Sequence, residues 1–215
     1  ALATLELPAS LEKVSDMAFC GMKSLKSIDL SRTKVYTIPY CCFYNCVSLE
    51  KVTLNALTDS ICDSAFENCS NLSDLLNTSN IQIVYKDAFK GTLLFSEDIV
   101  GPMMIGTAMY RYGGKIEDKE YVVPSSVTCL CDGVFANKNI QTIKLNDGLK
   151  YIGEGVFDNC LNLVSLSIPR SVDYVGGSSN CKSLALLQIE ADRKSLNIGD
   201  FSGSNVKKIY LGRSL

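Results

Sequence analysis

The stretch CDSAFENCSNLSDL, residues 62–75, is one copy of a phrase that returns along the whole chain, and a repeat limits what a polypeptide can fold into more than any composition does. Aligned on phenylalanine, the copies place Phe19, Phe43, Phe66, Phe89, Phe135 and Phe157 at intervals of 24, 23, 23, 46 and 22 residues. The long interval is twice 23, so the period runs on through an irregular turn. A second frame agrees. The phrase LxxLxL begins at Leu2, Leu25, Leu49, Leu72, Ile140, Leu163, Leu184 and Val206, and residues 72–140 leave room for two more turns starting near Phe95 and Asp118. About ten turns of 21 to 24 residues result.

In LKSIDL, residues 25–30, the last four positions alternate in and out as a strand does. Strands of successive turns are expected to pair at ~4.8 Å into one parallel sheet, which for ten turns gives a rod roughly 45 Å long. A second apolar set, such as Leu11, Val14, Ala18 and Phe19 or Leu149, Ile152, Val156 and Phe157, returns along the opposite wall in short irregular or 3-10 segments. No single turn buries its apolar face alone, so stacking creates the core and the expected fold is a β-rich repeat solenoid, not a compact globule. Each stacked Phe, with Phe201 in the last copy, should contribute about 1.5–3 kcal/mol by burial.

The phrases LATLELPASLEKVSDMAF and LVSLSIPRSVDYV carry apolar, Pro and Ala-Phe positions together, and in this the chain resembles the 23-residue repeat of the BspA-like, or Treponema-type, leucine-rich repeat family over essentially its whole length. The resemblance implies a leucine-rich-repeat horseshoe or rod and, for many members, a bacterial or protozoan surface protein used in adhesion or protein binding. It brings no catalytic residues. Three turns depart from the pattern and are expected to be looser: residues 95–117 lack the Ala-Phe pair, Ser178 stands near the Phe position, and Phe201 comes without Ala.

Cys46, Cys69, Cys160 and Cys181 each lie three residues before the first leucine of the next strand, in one column with Met22 and Asn137. A column holding Cys, Met and Asn reads as a buried stacking position, where a thiol acts as a small hydrophobe. Neighbouring pairs would come within disulfide range, but parallel side chains point the wrong way for an unstrained bridge, so free thiols are expected. No CxxC occurs, and Cys41-Cys42 and Cys129-x-Cys131 lack a second pair at metal spacing, so neither a metal nor another cofactor is expected. Ten cysteines in a secreted protein ordinarily go with disulfides, which stands in tension with a reduced column.

Other function classes recede in turn. With 21 basic against 23 acidic residues scattered along the chain, no basic stripe invites nucleic acid. The apolar run Ile99–Tyr110 is about 12 residues and contains Gly-Pro, short of the ~20 that a spanning helix needs. The chain has no histidine, which removes Ser-His-Asp and Cys-His constellations. Asp59 with Asp63, or Glu117 with Asp118, could form an acid and base pair but fall where solvated turn charges are expected. There is no phosphate loop, and an enzyme is not expected.

Candidate binding residues lie on the outward positions of the strand phrase. They include Lys26, Ser27 and Asp29, then Glu50, Lys51 and Thr53, then Ser73, Asp74 and Leu76, and later Gln141, Thr142 and Lys144, ending in Lys207, Lys208 and Tyr210. Mixed charge and small side chains suit a protein surface, with plain solvation as the alternative. Tyr151 and Tyr174 share a slot in successive turns and could present stacked rings to a sugar or peptide, or pack on the wall. Tyr36, Tyr40 and Tyr44 read as rim residues. In the irregular turn 95–117, Gly101-Pro102 and Gly113-Gly114 bracket an alternating segment that suggests a hairpin or loop projecting from the stack. It ends in Tyr110, Arg111 and Tyr112, residue types enriched at interface hot spots, although a stacking spacer also fits.

Residues 1–215 read as one repeat domain without polar caps, so a cut from a longer protein or end-to-end self-association is expected. The N-terminal stretch ALATLELPASL has no basic region before an apolar core, so a secretion signal is absent or already removed. The expected function is a non-catalytic scaffold, extracellular or on a cell surface, recognising a protein or glycan; the alternative is a structural spacer without a ligand of its own. Neither nucleic acid nor membrane insertion is expected.

Overall fold

The structure is a computed structural model that describes residues 2–95, 99–116, 119–190 and 196–212. Among these no helix occurs, and the chain winds through about nine turns of a β-solenoid. It divides into two compact units, one of residues up to 95 together with 105–107, the other of 99–104 and the residues from 108 onward.

In the first unit the first turn contributes one short strand and each later turn two: Thr4–Leu5 (β1), Ser27–Asp29 (β2), Thr37–Ile38 (β3), Lys51–Thr53 (β4), Ser60–Ile61 (β5), Asp74–Leu76 (β6) and Ile83–Val84 (β7). Strands β1, β2, β4 and β6 form one parallel sheet in register, with Ile28, Val52 and Leu75 facing inward in one column. Strands β3, β5 and β7 form a second parallel sheet on the opposite wall, where Ile38, Ile61 and Val84 are fully buried. The single parallel sheet expected from the sequence is thus two. Even a two-residue strand pairs when its flanks continue the ladder, as Asp59 N does with Tyr36 O (3.0 Å) and Cys62 N with Ile38 O (2.8 Å).

The second unit repeats this plan. Its strands are Gly101–Ile105 (β8), Ala108–Gly113 (β9), Glu120–Val122 (β10), Cys129–Leu130 (β11), Thr142–Lys144 (β12), Tyr151–Ile152 (β13), Ser165–Ile168 (β14), Tyr174–Val175 (β15), Leu186–Ile189 (β16), Asn197–Ile198 (β17) and Lys208–Leu211 (β18). Strands β10, β12, β14, β16 and β18 form the first wall, and β17, β15, β13, β11, β9 and β8 the second. Only Gly106 and Thr107 separate β8 from β9, a link that an antiparallel pair alone can bridge. The hairpin does not project. Strand β9 pairs in parallel with β11, Ala108 opposite Cys129 and Met109 opposite Leu130, because its alternation continues the second wall. Among the described residues, no strand of the first wall starts near Phe95. Residues 91–95 are irregular, and the Phe95 ring meets Phe89 edge-on at 6.1 Å.

The corners that follow the second wall are built on one plan, taking the irregular form of the irregular or 3-10 segments expected there. The N–H groups of the phenylalanine and of the residues two before and two after it donate to carbonyls of the next turn. Ser64, Phe66 and Asn68 reach Lys86, Ala88 and Lys90 at 2.8–2.9 Å, and Met17, Phe19 and Gly21 do the same to Tyr40, Cys42 and Tyr44. The residues between them donate backward within their own turn, as Ala65 does to Cys62, Glu67 to Ser64 and Cys69 to Phe66. Such alternation needs left-handed backbone at both flanking positions. There Met17 and Gly21, Cys41 and Asn45, Ser64 and Asn68, Asp87 and Gly91, Gly133 and Asn137, and Gly155 and Asn159 all have φ between 50° and 76°. Asn and Gly tolerate this conformation best, which explains Asn or Gly two residues after every phenylalanine of the ladder.

Asn137 therefore belongs to the left-handed column and not, as its spacing suggested, with the cysteines. The turn holding Phe135 is one residue shorter between Phe and the following strand phrase, so Lys138 takes the cysteine position, with its N–H on Phe135 O as Cys160 N–H is on Phe157 O. At Ser178 the corner lacks the apolar pair. Its hydroxyl instead accepts the Phe157 N–H at 3.2 Å, and Ser178 is 2 % exposed, so the turn is satisfied where looseness was expected.

Phenyl rings stack along the inside of these corners. Centroids of Phe19–Phe43, Phe43–Phe66 and Phe66–Phe89 are all 5.2 Å apart with interplanar angles of 18°, 3° and 8°. In the second unit Phe135 stacks on Phe157 at 6.5 Å. Phe43, Phe66, Phe89, Phe135 and Phe157 are buried, whereas Phe19 and Phe201 are half-buried. For Phe19 the reason is a ring neighbour on one side only. Phe66, sandwiched between two rings and fully buried, gives the most direct check: Phe66→Ala should cost about 3–5 kcal/mol in urea unfolding through the cavity it leaves. A loss below about 1 kcal/mol contradicts the ladder.

Candidate binding surface

On the first wall of the first unit, register sets Ser27, Lys51 and Asp74 in one outward column and Asp29, Thr53 and Leu76 in another. Lys51 Nζ lies 3.5 Å from Asp74 and both side chains are about half exposed, so the pair is worth little to stability. Asp29 accepts the Ser31 N–H at 2.8 Å, and its hydrogen bonds with Ser31 hold its carboxyl below the usual carboxylate range. Lys26 and Glu50 are exposed neighbours one turn apart, joined by Glu50 N–H on Lys26 O. In the second unit Lys144 pairs with Glu120 at 2.6 Å across β12 and β10.

The second wall of the second unit carries a different surface. Tyr151 and Tyr174, opposite each other in β13 and β15, stack with centroids 4.9 Å apart and planes 11° apart. The Tyr174 hydroxyl donates to the Glu154 carboxylate, which also accepts the Gly177 N–H at 2.7 Å. That hydrogen bond, with burial, pushes the Tyr174 phenol up to about 12, so it remains a donor throughout the neutral range. One turn earlier Asp132 Oδ1 accepts the Glu154 N–H at 2.9 Å, and Asp158 accepts both the N–H and the hydroxyl of Ser179. These carboxylates are fixed by backbone donors of the next turn.

The tyrosines of the hairpin separate. Tyr112 turns inward, its ring edge-on to Tyr121 at 5.2 Å and tilted against Phe135 at 5.9 Å, with Lys138 Nζ 5.8 Å from its centroid. It supplies, with Tyr121, the rings that the missing Ala-Phe pair would have given, and so belongs to packing. Arg111 is exposed and Tyr110 half-buried. Tyr36 and Tyr40 are exposed, and Tyr44 accepts the Asn68 amide at 3.5 Å. Asp59 and Asp63 bracket β5, the latter exposed, while Glu117 and Asp118 lie outside the described residues.

None of the ten cysteines is in a disulfide. In the column of Cys46, Cys69, Cys160 and Cys181, each thiol donates to the phenylalanine carbonyl one turn back: Phe19, Phe43, Phe135 and Phe157, at 3.0–3.2 Å. Cysteine is therefore a donor at this position as well as a filler, a role the spacing alone did not reveal. Burial pushes the Cys160 thiol up to about 12 and raises Cys181 as well.

The architecture and the sequence converge on one group. Residues 1–102 and 103–215 match the BspA type leucine-rich repeat region, in six copies. The chain belongs to the BspA-type leucine-rich repeat family. Solved structures similar to this BspA-type chain include a leucine-rich repeat protein from Bacteroides ovatus (19% identity, 98% of this chain and 63% of that one, TM-score 0.43). Another is a leucine-rich repeat protein from Eubacterium ventriosum (18% identity, 87% and 66%, TM-score 0.46). A third is a leucine-rich cell surface protein from Faecalibacterium prausnitzii (17% identity, 93% and 88%, TM-score 0.37). The chain thus spans less than two thirds of the length of the first two. No curated protein matches it.

The thiol column of this BspA-type repeat carries a pH prediction. A thiol with a folded pKa near 12, against about 8.5 in the unfolded chain, stabilises the fold fully below pH ~8.5 and loses that contribution as pH rises toward 12, because the unfolded state ionises first. Thermal unfolding of Cys160→Ala should therefore lose stability less steeply than the parent between about pH 9 and 11. Parallel slopes in the two proteins contradict a buried, neutral Cys160.

Proposed function

We propose that the chain is a non-catalytic binding scaffold, secreted from or displayed on a microbial cell, that recognises a protein or glycan through its outward columns. One observation carries this reading: successive turns hold side chains of mixed charge in register, as Ser27, Lys51 and Asp74 are, so a flat polar face is built from residues one strand spacing (about 4.8 Å) apart. Family membership supports it, and so does a sequence without histidine. A spacer reading is favoured by the way the charges already pair with each other, Lys51 with Asp74 and Lys144 with Glu120.

Arrays of glycans and of purified extracellular-matrix proteins, probed with the labelled chain, separate the two. The scaffold reading expects saturable binding that falls at least about tenfold on replacing Lys26, Glu50 and Lys51 together by Ala, with the melting temperature essentially unchanged because exposed pairs contribute little. Binding indifferent to that triple change and to changes at Lys144 and Arg111 leaves the spacer.

A further inference from the structure

The two walls of the second unit differ in charge. Among the described residues, its first wall and the adjoining turns bear Lys115, Lys119, Lys138, Lys144, Lys182, Lys207 and Lys208 against Glu120 and Glu190. Among the described residues, the second wall and its corners bear Asp132, Asp147, Glu154, Asp158, Asp173 and Asp200 against Arg111, Lys150 and Arg170. Overall composition, nearly neutral, hides this segregation. On the acidic wall stand the two stacked tyrosines.

Three features make that wall specific. First, the position two residues beyond each ring is glycine, Gly153 after Tyr151 and Gly176 after Tyr174, both buried where the backbones of adjacent turns close on them, so that column adds no side chain beside the rings. Second, carboxylates lie close to this backbone: a Cβ on Gly153 would lie 2.1 Å from Asp132 Oδ1, and one on Gly177, beside Gly176, would lie 3.4 Å from Glu154 Oε2. Third, the Tyr174 hydroxyl donates to Glu154, which shifts electron density toward its ring. An electron-rich ring beside carboxylates already fixed by backbone N–H groups attracts a cation, and it does so without reorganising.

Resting on the scaffold reading above, we propose that the Tyr151–Tyr174 pair with Glu154 and Asp132 is a docking site for an arginine-bearing, extended segment of a protein partner. Arginine fits better than lysine because a planar guanidinium stacks on a tyrosine ring and still offers donors to a carboxylate. Charge complementarity with the acidic wall selects a basic segment over an acidic peptide.

The test uses the 215-residue chain and two fluorescent nonapeptides, one alternating Arg and Ser, the other Glu and Ser, read by anisotropy at about 50 mM and 300 mM salt. The Arg peptide should bind, more weakly at high salt, and the Glu peptide should not. Tyr174→Leu and Glu154→Gln should each weaken binding about fivefold or more. Asp63→Asn, which removes a charge from the matching corner of the first unit, should change it less than twofold, and circular dichroism should show all variants folded. Equal weakening by Asp63→Asn means diffuse attraction and overturns the site, as do an Arg peptide that fails to bind or one that ignores Tyr174→Leu. A chain that captures a glycan or protein on its first-wall faces yet ignores the Arg peptide overturns this site alone and leaves the scaffold reading standing.

Discussion

Everything in this fold follows from the need to satisfy backbone N–H and C=O groups at corners that are neither helix nor strand. A buried, unpaired peptide group costs about as much as a hydrogen bond, and the corners at Phe43, Phe66, Phe89, Phe135 and Phe157 bury a phenylalanine together with its backbone. The solution is to send alternate N–H groups to the next turn, as Phe43 does to Ala65 O (2.8 Å) and Phe66 to Ala88 O (2.8 Å). That choice forces left-handed backbone two residues either side, and it sets the phenyl rings one above another. The phenylalanine carbonyl then receives two donors, the N–H three residues on and a thiol from the next turn. Ring, thiol and left-handed corner are one device.

Where the device is incomplete, substitutes appear. Ser178 provides an oxygen in place of a backbone carbonyl, Tyr112 and Tyr121 provide rings where the hairpin has no Ala-Phe pair, and Lys138 takes a cysteine's place with its ammonium beside Tyr112. The period survives these exceptions because each restores either a hydrogen bond or apolar contact at the same height.

How far the sequence can be read depends on which of these terms leaves a periodic trace. Leu25, Leu49, Leu72, Leu163 and Leu184 recur at fixed spacing and are all buried, since burial selects residue type directly. The left-handed column also leaves a trace, Asn or Gly at 21, 45, 68, 91, 137, 159 and 203, but it was hidden by counting backward from the leucines, which a one-residue deletion after Phe135 defeats. Counting forward from phenylalanine recovers it. The parallel docking of β9 on β11 was not legible, because an alternating apolar segment flanked by glycines reads equally as a free hairpin. Nor was the fate of Tyr112, which is half-buried like Tyr110 while Arg111 between them is exposed. Surface charge was legible only after the walls were known: Lys207 and Asp200 are seven residues apart in sequence but belong to oppositely charged walls.

The central claim concerns corner amides that lie outside every regular element, and native-state amide hydrogen exchange reads them one by one. The N–H groups of Phe43, Asn45, Phe66 and Asn68 should exchange as slowly as those of Val52 in β4, opening only with global unfolding. Exchange of Phe66 and Asn68 at rates typical of a solvated loop, while Val52 stays protected, would contradict a stack held together through its corners.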